Sequence, residues 1–236
     1  MKKKKKNLTQ KLFIRVNQTQ QKFNMEVKGL RIKPFGPSIF KVSIPNPLIK
    51  VLNDYVDDVV INKKKSSELD YGNSLVGDVT QEFKLDSEFV KSCGWSKFLE
   101  VCAAKWIELE TEKKITQFKI LESWIVRQFE NEYNPIHWHG GHISGAGFLK
   151  VPETLGDWKQ KKENHNYAGG NLELVHGSLQ FTSKSKFEIV PKVGDFYFFP
   201  NYLMHTVYPF KNSNEERRSI SFNAKIDNSI YNVYEG

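Results

Sequence analysis

The sequence predicts a mostly β protein with flanking helices: an α+β N-terminal region followed by a sandwich or barrel of antiparallel strands. Three observations carry that expectation. Aromatic residues make up 13% of the chain, from 17 Phe, 9 Tyr and 5 Trp, a bias that favours strands and excludes a disordered chain. Apolar residues at helical spacing occur only before about residue 110. After Lys114, short alternating runs separated by turn residues continue to the end.

Taken in order, Phe23, Met25, Val27 and Leu30 suggest strand pairing before Pro34 and Pro37 interrupt it, and Ile39 to Val42 reads as another short strand. Pro47 opens a helical pattern through Leu48, Leu52, Tyr55, Val56 and Val59, which the polar run from Asn62 to Ser67 ends. Residues 68 to 84 show no clear period. From Asp86 a helical stripe of Phe89, Val90, Trp95, Phe98, Leu99, Cys102, Ala103, Trp106 and Ile107 reaches about Glu110. From Phe118 onward the strands are punctuated by Asn134-Pro135, Gly140-Gly141, Gly169-Gly170, His176-Gly177, Val193-Gly194-Asp195 and Asn212-Ser213-Asn214, the spacing of a sandwich or barrel. The insert from Glu153 to Ala168, with Trp158 and several lysines, lacks strand alternation and reads as a lid, a substrate contact or a solvated excursion.

A chain of 236 residues can bury one sizeable core. Its expected organisation is a basic, disordered tail over 1–20, N-terminal strands and scaffold helices over 21–117, and a β core over 118–236. The net charge of +8 falls to +3 once Lys2 to Lys6 are set aside, so the basicity is largely that of a solvated tail and a nucleic-acid partner is not expected. The apolar stretch after those lysines is only Leu12-Phe13-Ile14, too short for a secretion signal, and no run is long enough to span a membrane. Cys93 and Cys102, nine apart in a helical stretch, read as small apolar residues rather than a bridge. A cytoplasmic location fits these features.

In an extended segment residues two apart share a face, so His137 and His139 of His137-Trp138-His139 can offer two imidazoles to one ion. His205, inside Phe199-Pro200-Asn201-Tyr202-Leu203-Met204-His205, follows an aromatic strand and a proline turn that would return it to the same cavity. Imidazole accepts iron, zinc, copper or nickel, so ligand type alone does not name the metal. His142, His165 and His176 read as turn or loop residues. Surface histidines beside an aromatic are common, and what raises the triad above that reading is a later strand. In Glu216-Arg217-Arg218-Ser219-Ile220-Ser221-Phe222-Asn223, Arg217, Ser219, Ser221 and Asn223 share one face. A buried guanidinium needs an anion, and its planar fork suits a carboxylate that a serine two residues on can also reach.

In this order the pieces resemble the 2-oxoglutarate and iron(II)-dependent oxygenase superfamily, in particular a small bacterial and phage group with His-x-His in place of the usual His-x-Asp. They are His137-Trp138-His139, Ser144-Gly145-Ala146-Gly147-Phe148-Leu149, Gly169-Gly170-Asn171-Leu172, Pro191-Lys192-Val193-Gly194-Asp195, Phe199-Pro200, His205, Pro209 and Arg217 to Asn223. The resemblance spans roughly residues 118 to 228. It implies a double-stranded β-helix of jelly-roll type, with the earlier helices and strands packed on its outside. It implies Fe(II), 2-oxoglutarate and O2 as cofactor and co-substrates. His137 and His205 match metal ligands, and Arg217 with Ser219 matches the pair that binds the far carboxylate of 2-oxoglutarate, with Ser144 a further cofactor contact. Arg217 is preferred to Arg218 because it alone shares a face with Ser219, which turns Arg218 outward. His139 stands where relatives carry an acid. Either it ligates as a third imidazole, which its type and spacing favour, or water or another residue takes that place.

The expected reaction is hydroxylation of an aliphatic C–H, with a prolyl or other peptidyl residue as first choice of substrate and a small molecule as the other, releasing succinate and carbon dioxide. Two rivals stand beside it. A three-histidine zinc hydrolase or hydratase would use an open position to acidify bound water, leaving Arg217 and Ser219 without a task. A metal-free jelly-roll binding module would rest on the β pattern alone.

Overall fold

The computed structural model describes residues 28–32, 34, 36–160 and 162–232. The expected tail over 1–20 and the strand signal at Phe23 to Val27 lie outside them. Chain order begins with strands β1 (Gly29–Ile32) and β2 (Ile39–Ser43), then helices α1 (Asn46–Ile61) and α2 (Lys63–Glu68). After a 3-10 turn at Gly72–Ser74 come β3 (Gln81–Lys84), α3 (Ser87–Ser92) and α4 (Trp95–Thr111). The β-rich half holds β4 (Phe118–Gln128), β5 (Asn134–His137), β6 (Ile143–Lys150), β7 (Leu172–Val175), β8 (Lys186–Ile189), β9 (Asp195–Pro200), β10 (Met204–Val207) and β11 (Arg217–Ile226), and α5 (Asn228–Tyr231) follows.

The strands form two antiparallel sheets, ordered β1-β2-β9-β6-β11-β4-β3 and β5-β10-β7-β8. The eight from β4 to β11 divide evenly between them, in the double-stranded β-helix arrangement of a jelly roll. The early strands join this core at the two edges of one sheet. They lengthen the larger sheet, β2 pairing with β9 and β3 with β4. Among the described residues no helix is long and apolar enough to cross a membrane.

Alternation gives the larger sheet two different faces. Phe40, Phe83, Ile125, Phe196, Phe198, Ile220 and Phe222 point outward into a core shared with α1, α3 and α4. There the α4 stripe packs aromatic on aromatic, Trp95 edge-on to Phe196 at 5.3 Å and Trp106 against Phe198 at 6.4 Å. Each indole N–H also finds a buried partner, Trp95 donating to Ser123 Oγ and Trp106 to Ser38 Oγ, both at 3.0 Å. Burying one such side chain contributes about 1.5–3 kcal/mol. The inner face joins the smaller sheet through Ile39, Phe148, Tyr197 and Phe199 packed on Leu172, Leu174, Ile189, Leu203 and Val207.

Three local expectations are corrected. The helix expected from Asp86 is two helices: Asp86 Oδ1 does cap α3, accepting from Glu88 and Phe89 N–H at 2.9 Å, but Gly94 at φ 89° breaks the run before α4. The polar run after Asn62 ends α1 yet forms α2 itself, because Asn62 Oδ1 caps it by accepting from Lys65 N–H at 3.1 Å. The unperiodic segment 68–84 ends in β3, whose four residues are too few to show a period. The two cysteines are free, as read from their spacing.

Candidate metal centre

The smaller sheet brings two of the histidines face to face. His205 on β10 is the register partner of His137 on β5, and their rings lie 4.3 Å apart between centroids. His139 lies two residues past His137, beyond the end of β5, with its ring 4.9 Å from each of the others. Their ligating atoms all fall within 4.8 Å of one another, and among the described residues no carboxylate joins the group. Trp124 of β4 contacts the His139 ring at 5.3 Å and Phe199 of β9 the His205 ring at 5.1 Å, so the cluster rests against the inner face of the larger sheet.

Two rings have their tautomer fixed by the backbone. His137 Nδ1 lies 2.7 Å from Pro135 O, and His205 Nδ1 lies 2.9 Å from Leu203 O. A carbonyl only accepts, so Nδ1 carries the proton in both and Nε2 presents its lone pair, the way metal-ligating histidines are usually held. Burial keeps the rings neutral. It lowers the pKa of His137, takes His139 to about 3 with the neighbouring His137 adding to the effect, and places His205 well below the ordinary value. His139 Nε2 and His205 Nε2 are 3.1 Å apart, and two nitrogens at right angles on an ion with bonds of about 2.1 Å would be separated by about 3 Å. The donor set therefore fits a divalent transition ion.

Arg217 opens β11 on the same inner face. It is 1% exposed, and among the described residues no carboxylate forms an ion pair with it. Nε donates to Gly170 O at 2.9 Å, Nη1 donates to Gln128 Oε1 at 3.1 Å, and the guanidinium lies over the Phe148 ring at 5.1 Å. Desolvation alone lowers its pKa to about 10. A buried cation without an acid is costly unless an anion arrives. Ser219, 7% exposed, is the next inward residue, opposite Val126 and Phe148, and its hydroxyl has no partner among the described residues. Ser221 then pairs with Trp124, the residue that touches His139. Arg217 and Ser221, the inward residue nearest the cluster, thus lie on the same face of the larger sheet, four residues or roughly 13 Å apart along β11.

Ser144 lies at the cluster end, opposite Asn223 and Phe199. It donates to Asn223 Oδ1 at 2.7 Å; Asn223 Nδ2 donates to Glu122 Oε1 at 2.6 Å, and Glu122 also accepts from the Tyr71 hydroxyl. Its own proton is thus engaged, and it lies away from Arg217. Arg218 lies on the outer face of the sheet, where strand phase puts it, but that face is not open to solvent. It too is 1% exposed, because α1 covers that face of the sheet, with Asp57 Oδ1 at 2.6 Å, Asn53 Oδ1 at 3.0 Å and Glu216 at 2.7 and 2.9 Å as partners. One arginine is fully paired and its neighbour has no acid. Gln128 escaped the sequence reading, since only the pairing of Arg217 with Gln128 across β11 and β4 reveals its part. The insert is tied down on the Arg217 side, Lys211 N–H donating to Leu155 O at 3.2 Å and Glu153 N–H to Glu215 Oε2 at 2.7 Å.

Residues 122–223, which include the three histidines, Arg217 and Ser219, match a family model described as "Putative 2OG-Fe(II) oxygenase". This segment is similar to a 2OG-Fe(II) oxygenase domain. The family is one of enzymes that use Fe(II), 2-oxoglutarate and O2. Among solved structures, similar folds include a Pseudomonas putida prolyl-4-hydroxylase at 14% identity, covering 78% of this chain and 91% of that one with a TM-score of 0.51. AviO1 from Streptomyces viridochromogenes Tue57 is similar at 14% identity, 80% and 89% coverage and a TM-score of 0.51. The non-heme alpha-ketoglutarate-dependent epimerase SnoN from nogalamycin biosynthesis matches at 13% identity, 78% and 76% coverage and a TM-score of 0.51. At these identities the likeness is one of fold. No curated protein matches the sequence.

Proposed function

We propose that this oxygenase hydroxylates an aliphatic C–H of a prolyl or other peptidyl residue, with His137, His139 and His205 as the iron ligands and Arg217 with Ser219 as the seat of the far carboxylate of 2-oxoglutarate. The observation that carries the reading is the fully buried Arg217, acid-free among the described residues, on the same sheet face against which three converging imidazoles rest. A diacid reaching from ion to guanidinium satisfies both ends. The peptidyl choice draws support from the prolyl-4-hydroxylase whose fold the chain shares.

When bound, iron with 2-oxoglutarate and O2 supplies oxidative decarboxylation and C–H oxidation. The protein's residues do the positioning. His137 and His205, locked through Nδ1 to backbone carbonyls, hold two Nε2 donors without rotating. Arg217, aimed by Gly170 O and Gln128, has its remaining N–H groups for a carboxylate, and Ser219 can donate to the same group. Phe148, Leu174 and Phe199 keep the space between apolar, which strengthens every charge interaction inside it.

The test is succinate release by Fe(II)-loaded protein across proline-containing peptides, other peptides and small metabolites. Succinate formed in step with a product 16 Da heavier than a proline-containing peptide is expected. Succinate coupled only to a small metabolite would overturn the peptidyl choice. A protein that keeps zinc and makes no succinate would favour the hydrolase reading.

A further inference from the structure

We infer that Asn201 and Tyr231 are positioning residues for the third metal ligand, fixing the main chain of His139 where strand pairing no longer does so. The inference rests on the assignment of His139 as a ligand. His137 and His205 are held by paired strands and by Nδ1 hydrogen bonds. His139 has neither: it lies outside β5, and its Nδ1 has no protein partner among the described residues. A ligand placed so loosely would lose the geometry that a metal needs.

One residue replaces both supports. His139 N–H donates to Asn201 O at 3.0 Å, and Asn201 Nδ2 donates back to His139 O at 2.9 Å. Because a carbonyl cannot donate, the amide must present its nitrogen to His139, which leaves Oδ1 facing the other way. There Tyr231 OH of α5 donates to Oδ1 at 2.8 Å. Asn201 is 9% exposed, so this second bond is what stops the amide from turning over. The phenol is itself held flat against the His142 ring, 4.0 Å between centroids at 9°. His142 Nδ1 accepts from Ile226 N–H at 3.1 Å, and His142 O accepts from Asn201 N–H at 3.2 Å. Three stretches distant in sequence, the 138–142 loop, the turn after β9 and the C-terminal α5, therefore close on one backbone unit. His142 is a support for the clamp and stands outside the ligand group.

The experiment compares wild type, Tyr231→Phe, Asn201→Ala and His139→Ala as full-length, metal-free proteins titrated with Co(II). It reads the Kd and the visible absorption of the bound ion, with the melting temperature of each apo protein as a control. Tyr231→Phe, which removes one hydroxyl and keeps the stacking ring, is expected to weaken Co(II) binding about tenfold, the lower end for loss of a partner outside the ligand set. Its spectrum should shift and its apo melting temperature should stay close to wild type; Asn201→Ala should weaken binding at least as much. If Tyr231→Phe binds Co(II) with wild-type affinity and spectrum, the inference is wrong whatever Asn201→Ala does. If His139→Ala binds as tightly as wild type, the ligand assignment fails first and this inference with it. Weakened binding in His139→Ala beside unchanged binding in Tyr231→Phe overturns the clamp alone.

Discussion

Adjacent arginines on β11 make opposite predictions, because one is paired and the other is not. Arg218→Ala removes the guanidinium that Glu216 and Asp57 share, leaving them Arg127 and Lys150, and is expected to lower stability by about 1–3 kcal/mol, with 2-oxoglutarate binding little changed. Arg217→Met removes a buried cation that has no acid, so the metal-free protein should melt no lower than wild type while losing 2-oxoglutarate binding. Thermal denaturation of both variants, with a co-substrate titration of each, checks the pair; an Arg217→Met protein that melts well below wild type would show that the guanidinium serves the fold. At this scale the sequence exposed part of the truth. The shared phase of Arg217 and Ser219 was legible in the spacing of one strand. The burial of Arg218 was not, since it depends on α1 lying across the sheet from more than 150 residues earlier in the chain.

Elements were legible where their own residues decide them and obscure where a neighbour does. The α4 stripe, the turn glycines and the β-rich second half follow from local spacing. The break at Gly94 and the capping of α2 by Asn62 depend on single residues that a periodic reading passes over. In β6 the alternation Ser144-Gly145-Ala146-Gly147-Phe148 could be seen, but its reason is contact. Gly145 and Gly147 face the outer core, where a Cβ on Gly147 would lie 2.3 Å from the Phe196 ring and 2.7 Å from Asp195 O. The backbone oxygen cannot step aside, so Gly147→Ala is expected to cost about 1–3 kcal/mol, read as a lowered urea midpoint with unchanged slope. An unchanged midpoint would mean that β6 and β9 can separate to admit a methyl group.

The molecule as a whole should answer to pH through the same buried groups. His137, His139 and His205 have lowered pKa values when folded, so below the ordinary 6.5 the unfolded chain takes up protons that the folded one does not, and stability falls as the pH drops. Glu82 acts in the opposite sense. Burial raises its carboxyl to about 7, so its contribution is complete below 4.5 and is lost as the pH rises through 7. Three imidazoles outweigh one carboxyl, and the metal-free protein should melt progressively lower from pH 7 to pH 5, with a smaller loss in His139→Ala. A flat or rising profile would mean that the rings are not held neutral.

That neutrality, and the cation without an acid farther along the same sheet face, are what a single ion bridged by a single diacid requires. The most direct measurement is an anaerobic titration of the metal-free protein with Fe(II) and then 2-oxoglutarate, following the visible metal-to-ligand absorption of the chelate. One band saturating at one equivalent of each is expected in wild type, with Arg217→Ala needing far more 2-oxoglutarate and nearly the same Fe(II). No band, or Fe(II) and 2-oxoglutarate requirements raised equally by Arg217→Ala, would contradict the account.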